Sequence, residues 1–160
     1  MNNPYQSIFD KQKTFFIKEL RGQSVNLRVK KLKNLKKWIK QNVEEICTEI
    51  KKDFNKGEEE VLLTEIKPIM DEINHNIRHI YDWAREEKVS TPLLFMGSKS
   101  KVIKEPKGVT LIIAPWNYPF NLCIGPLISA IAAGNTAIIK PSENTPHTAE
   151  LIKKMMCNEL

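Results

Sequence analysis

Asn117 stands in the frame Pro115-Trp116-Asn117-Tyr118-Pro119, directly after Val109 to Ala114, an apolar run of strand length. The two prolines restrict the backbone on either side and can fix the direction of one side-chain amide. A preorganised amide N–H₂ is a good donor to an oxyanion developing on a tetrahedral intermediate; the other common employment of an asparagine here is to cap the following helix. A second polar group, Lys140-Pro141-Ser142-Glu143, follows a second apolar run, Thr136 to Ile139. A lysine that donates and a glutamate that accepts could hold the two hydroxyls of a ribose. The alternative is a capping box in which Ser142 or Thr145 starts the next helix.

Other residues invite chemistry and decline it. Cys123 falls inside the apolar run FNLCIGPLI with no base or cationic neighbour to lower its thiol pKa, which makes it a buried structural cysteine. His75 and His79 have the i, i+4 spacing of a metal pair, but no HExxH accompanies them and Asp71 and Asp82 serve as surface partners, so no metal is expected. Gly97-Ser98-Lys99-Ser100 lacks the earlier glycine of a phosphate loop, and no GxGxxG follows the first strand candidate.

The elements that must position Asn117 and the Lys140–Glu143 group are a strand, a helix and a strand, running from Gly108 to Glu143. In a parallel sheet the carboxyl ends of the strands open on a crevice where ligands sit, and both polar groups fall there. Upstream the pattern is helical. Ile8, Phe9, Phe15, Phe16 and Leu20 are loosely periodic up to Arg21-Gly22; from Val25, the stripe Leu32, Leu35, Ile39, Ile46, Ile50, Phe54 reads as an amphipathic helix ended by Asn55-Lys56-Gly57. A further helix from Glu58 carries Leu62, Leu63, Ile66, Ile69, Ile73, Ile77, Ile80 and Trp83, with Pro68 kinking it or starting a new one. Val89, Thr91 to Phe95 and Lys101 to Ile103 read as short extended segments around a Gly97-Ser98 turn. The expected organisation is a helical segment over 1–87, an extended hairpin over 88–107 that extends the main domain or mediates subunit contacts, and an α/β unit over 108–160: an α/β fold class.

Composition narrows the function. With 160 residues, 41% apolar and 28% charged, the chain can bury one sizeable core as a soluble globular protein. The net charge of +6 suits either an acidic partner or a lysine-rich surface. Lysines are interleaved with glutamates after Glu44, and the run Lys30, Lys31, Lys33, Lys36, Lys37, Lys40 has only Trp38 beside it, so it reads as a solvated helix face and no nucleic acid is expected. Cys47, Cys123 and Cys157 have no pairing pattern, which suits reduced thiols and a cytoplasmic location. The N-terminus has no basic-then-apolar signal pattern, and no uncharged apolar run is long enough for a membrane segment.

The run GVTLIIAPWNYPFNLCIGPLISAIAAGNTAIIKPSE resembles the N-terminal part of the cofactor domain of the aldehyde dehydrogenase superfamily, most closely the class 3 or fatty-aldehyde dehydrogenase branch. The likeness continues upstream through KDFNKGEEEVLLTEI, YDWAREEKVSTPL and EPKG. It implies an incomplete form of that family's Rossmann-like fold and oxidation of a small-molecule aldehyde to a carboxylic acid through a cysteine thiohemiacetal, with NAD or NADP as cofactor. By the resemblance Asn117 is the oxyanion asparagine, so the capping alternative recedes; Lys140 and Glu143 flank the adenosine ribose with Ser142 beside them, Pro115 and Trp116 line the nicotinamide side, and Tyr118 borders the substrate tunnel. A carboxylate at Glu143 would repel a 2′-phosphate, which leans toward a free ribose hydroxyl. The family's nucleophilic cysteine, general-base glutamate and second glycine-rich loop lie downstream of anything matched. The expectation is therefore an N-terminal fragment or truncated product, inactive alone, of an enzyme that is a homodimer at full length; the competing expectation is a non-catalytic product that associates with full-length subunits.

Overall fold

The computed structural model describes residues 3–159. Its N-terminal half is helical. Helix α1 (Gln6–Phe15) widens into a π-helical turn, Phe16–Leu20, and the chain reverses at Gly22, whose φ of 86° suits a residue without a Cβ. In α2 (Val25–Gln41) the buried positions Val29, Leu32, Leu35, Trp38 and Ile39 recur every three or four residues, while Lys30, Lys33, Lys37 and Lys40 point to solvent.

The single stripe expected from Val25 to Phe54 is two helices. Asn42 (φ −119°) interrupts it, and its side-chain amide donates to the Trp38 carbonyl at 2.7 Å, satisfying a group the broken ladder would leave open. Helix α3 (Val43–Phe54) then ends with Asn55 in the left-handed region (φ 54°). A short helix α4 (Glu58–Val61) passes through a second π-helical turn, Leu62–Ile66, into α5 (Lys67–Ala84). Pro68 lies in the first turn of α5, where a missing N–H costs no helical bond.

Strands β1 (Glu87–Val89) and β2 (Ser100–Val102) pair antiparallel. The extended conformation expected for Thr91 to Phe95 ends at Pro92, which, at φ −57° and ψ 146°, opens a 3₁₀ turn over Leu93–Phe95 closed by the Phe95 N–H on the Pro92 carbonyl at 2.9 Å. A proline's fixed φ favours that turn, and among the described residues no strand pairs with Leu93–Phe95.

Strand β3 (Val109–Ile113), helix α6 (Asn121–Ala133), strand β4 (Thr136–Lys140) and helix α7 (Pro146–Glu159) form the α/β unit. The strands are parallel, in register from Val109 opposite Thr136 to Ile113 opposite Lys140. Helix α6 packs on α2 and α5 as well as on the sheet, so nearly every side is covered and its sequence is apolar all round. Helix α7 packs on α3. One apolar cluster runs through all of them, from Leu32, Ile39 and Ile50 through Ile69, Ile73 and Ile80 to Phe120, Ile124, Ile128 and Met155. On β3 Ile112 faces this core while Leu111 and Ile113 face solvent, the alternation of a strand covered on one side.

The turn between α6 and β4 sets where β4 begins. The Asn135 N–H bonds the Ala130 carbonyl and the Gly134 N–H bonds Ile131, a Schellman ending that requires the positive φ of Gly134 (83°). Arg28 closes over it, donating to the Ala132 carbonyl at 3.3 Å, and a Cβ on Gly134 would lie 2.7 Å from the guanidinium carbon. Burial lowers the Arg28 pKa. Asn135 turns its side-chain oxygen to the Gly108 N–H at 2.8 Å, tying the starts of both strands together.

Candidate functional site

The carboxyl ends of β3 and β4 lie side by side, joined beyond the ladder by the Ala114 N–H on the Lys140 carbonyl at 3.1 Å. Pro115-Trp116-Asn117-Tyr118 leaves one strand and Pro141-Ser142-Glu143 the other. The two polar groups picked out by residue type therefore do share one end of the sheet.

Asn117 is not a cap. Helix α6 begins at Asn121, and the acceptor at its N-terminus is Glu65, whose Oε2 takes the Asn121 N–H at 2.9 Å. Among the described residues the Asn117 side-chain amide makes no hydrogen bond, and the residue is exposed, free to donate outward. Its main chain is fixed instead: Lys56 Nζ donates to the Asn117 carbonyl at 2.9 Å. Trp116 stacks on Phe54 with ring centroids 5.8 Å apart, and Tyr118 lies under the Lys56 ammonium at 4.3 Å from its ring centroid. Past them Pro119 and Phe120 are buried and anchor the loop to the core.

At the other strand end Lys140 Nζ donates to Glu143 Oε2 at 2.5 Å, and both side chains are exposed. The hydrogen bond from Lys140, then the residue's own backbone N–H, hold the Glu143 carboxyl below its ordinary range, so it accepts as a carboxylate at neutral pH. Ser142 is buried and its Oγ takes the Asn144 N–H at 3.2 Å, shaping a turn rather than capping a helix. Helix α7 is capped from outside: Asp53 at the end of α3 accepts from the His147 and Thr148 amides and from Thr148 Oγ1 at 2.7–3.1 Å. Lys140, Ser142 and Glu143 border an open cavity of about 650 Å³ whose other wall is apolar, with Ile139, Ala149 and Ile152. Pro115, Trp116, Asn117 and Tyr118 do not line it; the rings of Trp116 and Tyr118 face Phe54 and Lys56 of the helical layer.

The N-termini of both crossover helices are thus occupied by carboxylates of the chain, Glu65 on α6 and Asp53 on α7, which leaves neither open to a phosphate. The two buried cysteines offer no activated thiol. Cys123 is fully buried, and desolvation followed by the charge of Glu65 pushes its pKa up to about 11; burial and Glu58 raise Cys47. His75, His79 and Trp83 cluster along α5 with ring centroids 4.5–5.8 Å apart, His79 stacked on Trp83 and His75 tilted against both. Among the described residues no three metal-binding side chains converge, and no helix is long and apolar enough to cross a membrane.

Lys56, Glu65 and Asp53 escape a motif search. Glu65 does leave a signal: it occupies the spacing of Val61, Ile69 and Ile73, and all four are fully buried, so a carboxylate sits where the apolar stripe calls for an aliphatic residue.

The aldehyde dehydrogenase family model matches residues 8–158. The 4,4'-diaponeurosporen-aldehyde dehydrogenase of Staphylococcus aureus is 42% identical over 156 residues, 98% of this chain and 34% of that protein. Aldehyde dehydrogenase family 3 comG of Dictyostelium discoideum is 40% identical over 138 residues, covering 86% of this chain and 29% of its own length. The substrate-bound structure of Staphylococcus aureus AldH superimposes with a TM-score of 0.89 at 39% identity, over 100% of this chain and 34% of that one. The chain spans about a third of the length of these relatives. On the family match and the shared fold, this chain belongs to the aldehyde dehydrogenase family.

Proposed function

We propose that this chain is the part of an NAD(P)-dependent aldehyde dehydrogenase that supplies the oxyanion donor and the ribose end of the cofactor cleft. The observation that carries the reading is Asn117: an exposed amide with no partner among the described residues, on a loop whose backbone is held by Lys56 and by the buried Pro119 and Phe120. Such an amide serves where negative charge develops on an aldehyde oxygen under attack by a thiolate. Cys47 and Cys123 do not suit that thiolate, both being buried and shifted upward, and by the family resemblance the nucleophile lies in the part of the relatives not matched here.

A nicotinamide cofactor fits the second strand end. An ammonium and a carboxylate, both exposed and already hydrogen-bonded to each other, offer a donor and an acceptor to the two hydroxyls of a ribose, and the apolar wall of Ile139, Ala149 and Ile152 suits the face of an adenine. When bound, the cofactor supplies the hydride acceptor. Lys140 and Glu143 hold the ribose, Ser142 keeps the turn between them, Pro115 and Trp116 border the nicotinamide, and Tyr118 borders the aldehyde. The same reading makes the enzyme a cytoplasmic homodimer; the exposed Leu93, Leu94, Phe95 and Met96 between β1 and β2 support a subunit contact.

Aldehyde-dependent reduction of NAD or NADP by a full-length enzyme carrying this sequence tests the proposal. Turnover by that enzyme, with none from the 160-residue chain alone, is the expected result. Turnover by the short chain would mean that it holds a nucleophile of its own, and no turnover by the full-length enzyme with any aldehyde would remove the reading.

A further inference from the structure

Lys56 and Glu65 form a buried ion pair, Nζ to Oε1 at 2.8 Å, with Glu65 fully inaccessible and the Lys56 side chain only 10% exposed. Neither belongs to the sheet or to the strand-end motifs. Withdrawing two charges from water is costly, and buried ion pairs often give no more stability than an apolar pair of the same volume. What the two do with their remaining hydrogen bonds is specific. Glu65 Oε2 accepts the Asn121 N–H at the start of α6, while the Asn121 side chain donates to the Thr64 carbonyl at 2.9 Å. Lys56 Nζ donates to the Asn117 carbonyl and lies over the rings of Tyr118 and Phe54, at 4.3 Å and 5.3 Å from their centroids. One ion pair thus holds both ends of the segment from Asn117 to Asn121, and Phe54, which also carries the Trp116 stack, closes it from below.

We infer that Lys56 and Glu65 are positioning residues for Asn117, setting the loop so that its side-chain amide points at the developing oxyanion. The inference rests on the proposed role of Asn117 and assigns that role a support in the helical layer. Among the described residues the Asn117 amide has no partner of its own, so its position is set by its backbone, and the hydrogen bond on that backbone carbonyl comes from Lys56. A displacement of the order of 1 Å costs a catalytic contact about 10²-fold, so the loss of the brace registers in the chemical step while the ribose end, on another strand, is untouched.

The test compares Lys56→Met, Glu65→Gln, Asn117→Ala and the Lys56→Met/Asn117→Ala double variant in a full-length enzyme carrying this sequence. The readouts are the single-turnover burst of reduced cofactor, the cofactor Kd, and hydrogen–deuterium exchange of residues 115–121. Glu65→Gln is isosteric and keeps an acceptor for Asn121 while turning an N–H₂ toward Lys56, so it serves if Lys56→Met does not fold. The expected result is a burst slowed about tenfold or more in each brace variant, an unchanged cofactor Kd, faster exchange over 115–121, and no further slowing when Lys56→Met is added to Asn117→Ala. Equal slowing by Lys56→Met in both backgrounds would mean that the pair acts independently of Asn117 and would overturn the inference. So would a normal burst and normal exchange in folded Lys56→Met and Glu65→Gln. If Asn117→Ala itself leaves the burst intact, the oxyanion role falls, and the exchange data alone then decide whether the pair holds the loop.

Discussion

Replacing Asp53 by alanine is expected to destabilise the fold by about 2–4 kcal/mol, much more than an ordinary cap. Its carboxylate accepts three donors: the His147 N–H at 3.1 Å, the Thr148 N–H at 2.8 Å and Thr148 Oγ1 at 2.7 Å. His147 is exposed and its amide can turn to water, so that bond accounts for little more than the loss of a helix cap, about 1 kcal/mol. Thr148 is fully buried, and its two donors would be left without a partner at roughly 1 kcal/mol or more each. Asp53→Asn keeps one acceptor oxygen and is expected to lose about half as much. Equilibrium urea unfolding of the 160-residue chain, followed by circular dichroism, gives both values, with the slope against urea unchanged. Because Asp53 sits at the end of α3, the loss also loosens the α3–α7 contact and with it the Ser142–Thr145 turn. A loss below about 0.5 kcal/mol for Asp53→Ala would refute the reasoning, since it would mean that the Thr148 donors find other partners at no cost.

Three further outcomes are expected. Gly134→Ala should cost about 1–2 kcal/mol by the same unfolding assay, from its left-handed φ and the displacement of Arg28. Under native conditions at pH 8 a thiol reagent should label Cys157 and spare Cys47 and Cys123, as mass spectrometry would read; because the folded Cys123 pKa is raised to about 11 from 9.0, its contribution to stability is complete below pH 9 and declines as the pH rises toward 11. In the full-length enzyme Glu143→Gln should shift preference toward NADP by about three- to tenfold in kcat/KM, since it removes a charge that repels a 2′-phosphate across solvent-screened space; no change in the NADP to NAD ratio would take Glu143 away from the ribose.

Much of the fold is legible in residue patterns because its elements are bounded by strong local signals. Val109 and Thr136 begin the strands where they are expected, since glycine and proline punctuate a β-branched run at each site. Pro68 marks a helix start for the same local reason. The division at Asn42 is hidden because the apolar spacing carries across it, and the break is stabilised by a side-chain bond back to Trp38 that composition does not reveal. Leu93 to Phe95 looks extended by residue type, but β-propensity describes a side chain packed on a sheet, and these three side chains are exposed. The site divides likewise. Asn117 and Glu143 stand beside prolines at strand ends and announce themselves; Lys56 and Asp53 act on residues 61 and 95 positions away, so only the folded chain shows what they hold.

The role of Asn117 is tested most directly by the single-turnover rate of aldehyde-dependent cofactor reduction in full-length wild type and Asn117→Ala, with cofactor Kd measured on the same preparations. If the amide stabilises the oxyanion, the variant binds cofactor normally and its burst is slower by about 10²- to 10³-fold. An unchanged burst in folded, cofactor-binding Asn117→Ala would contradict the claim that this strand end carries half of the catalytic site.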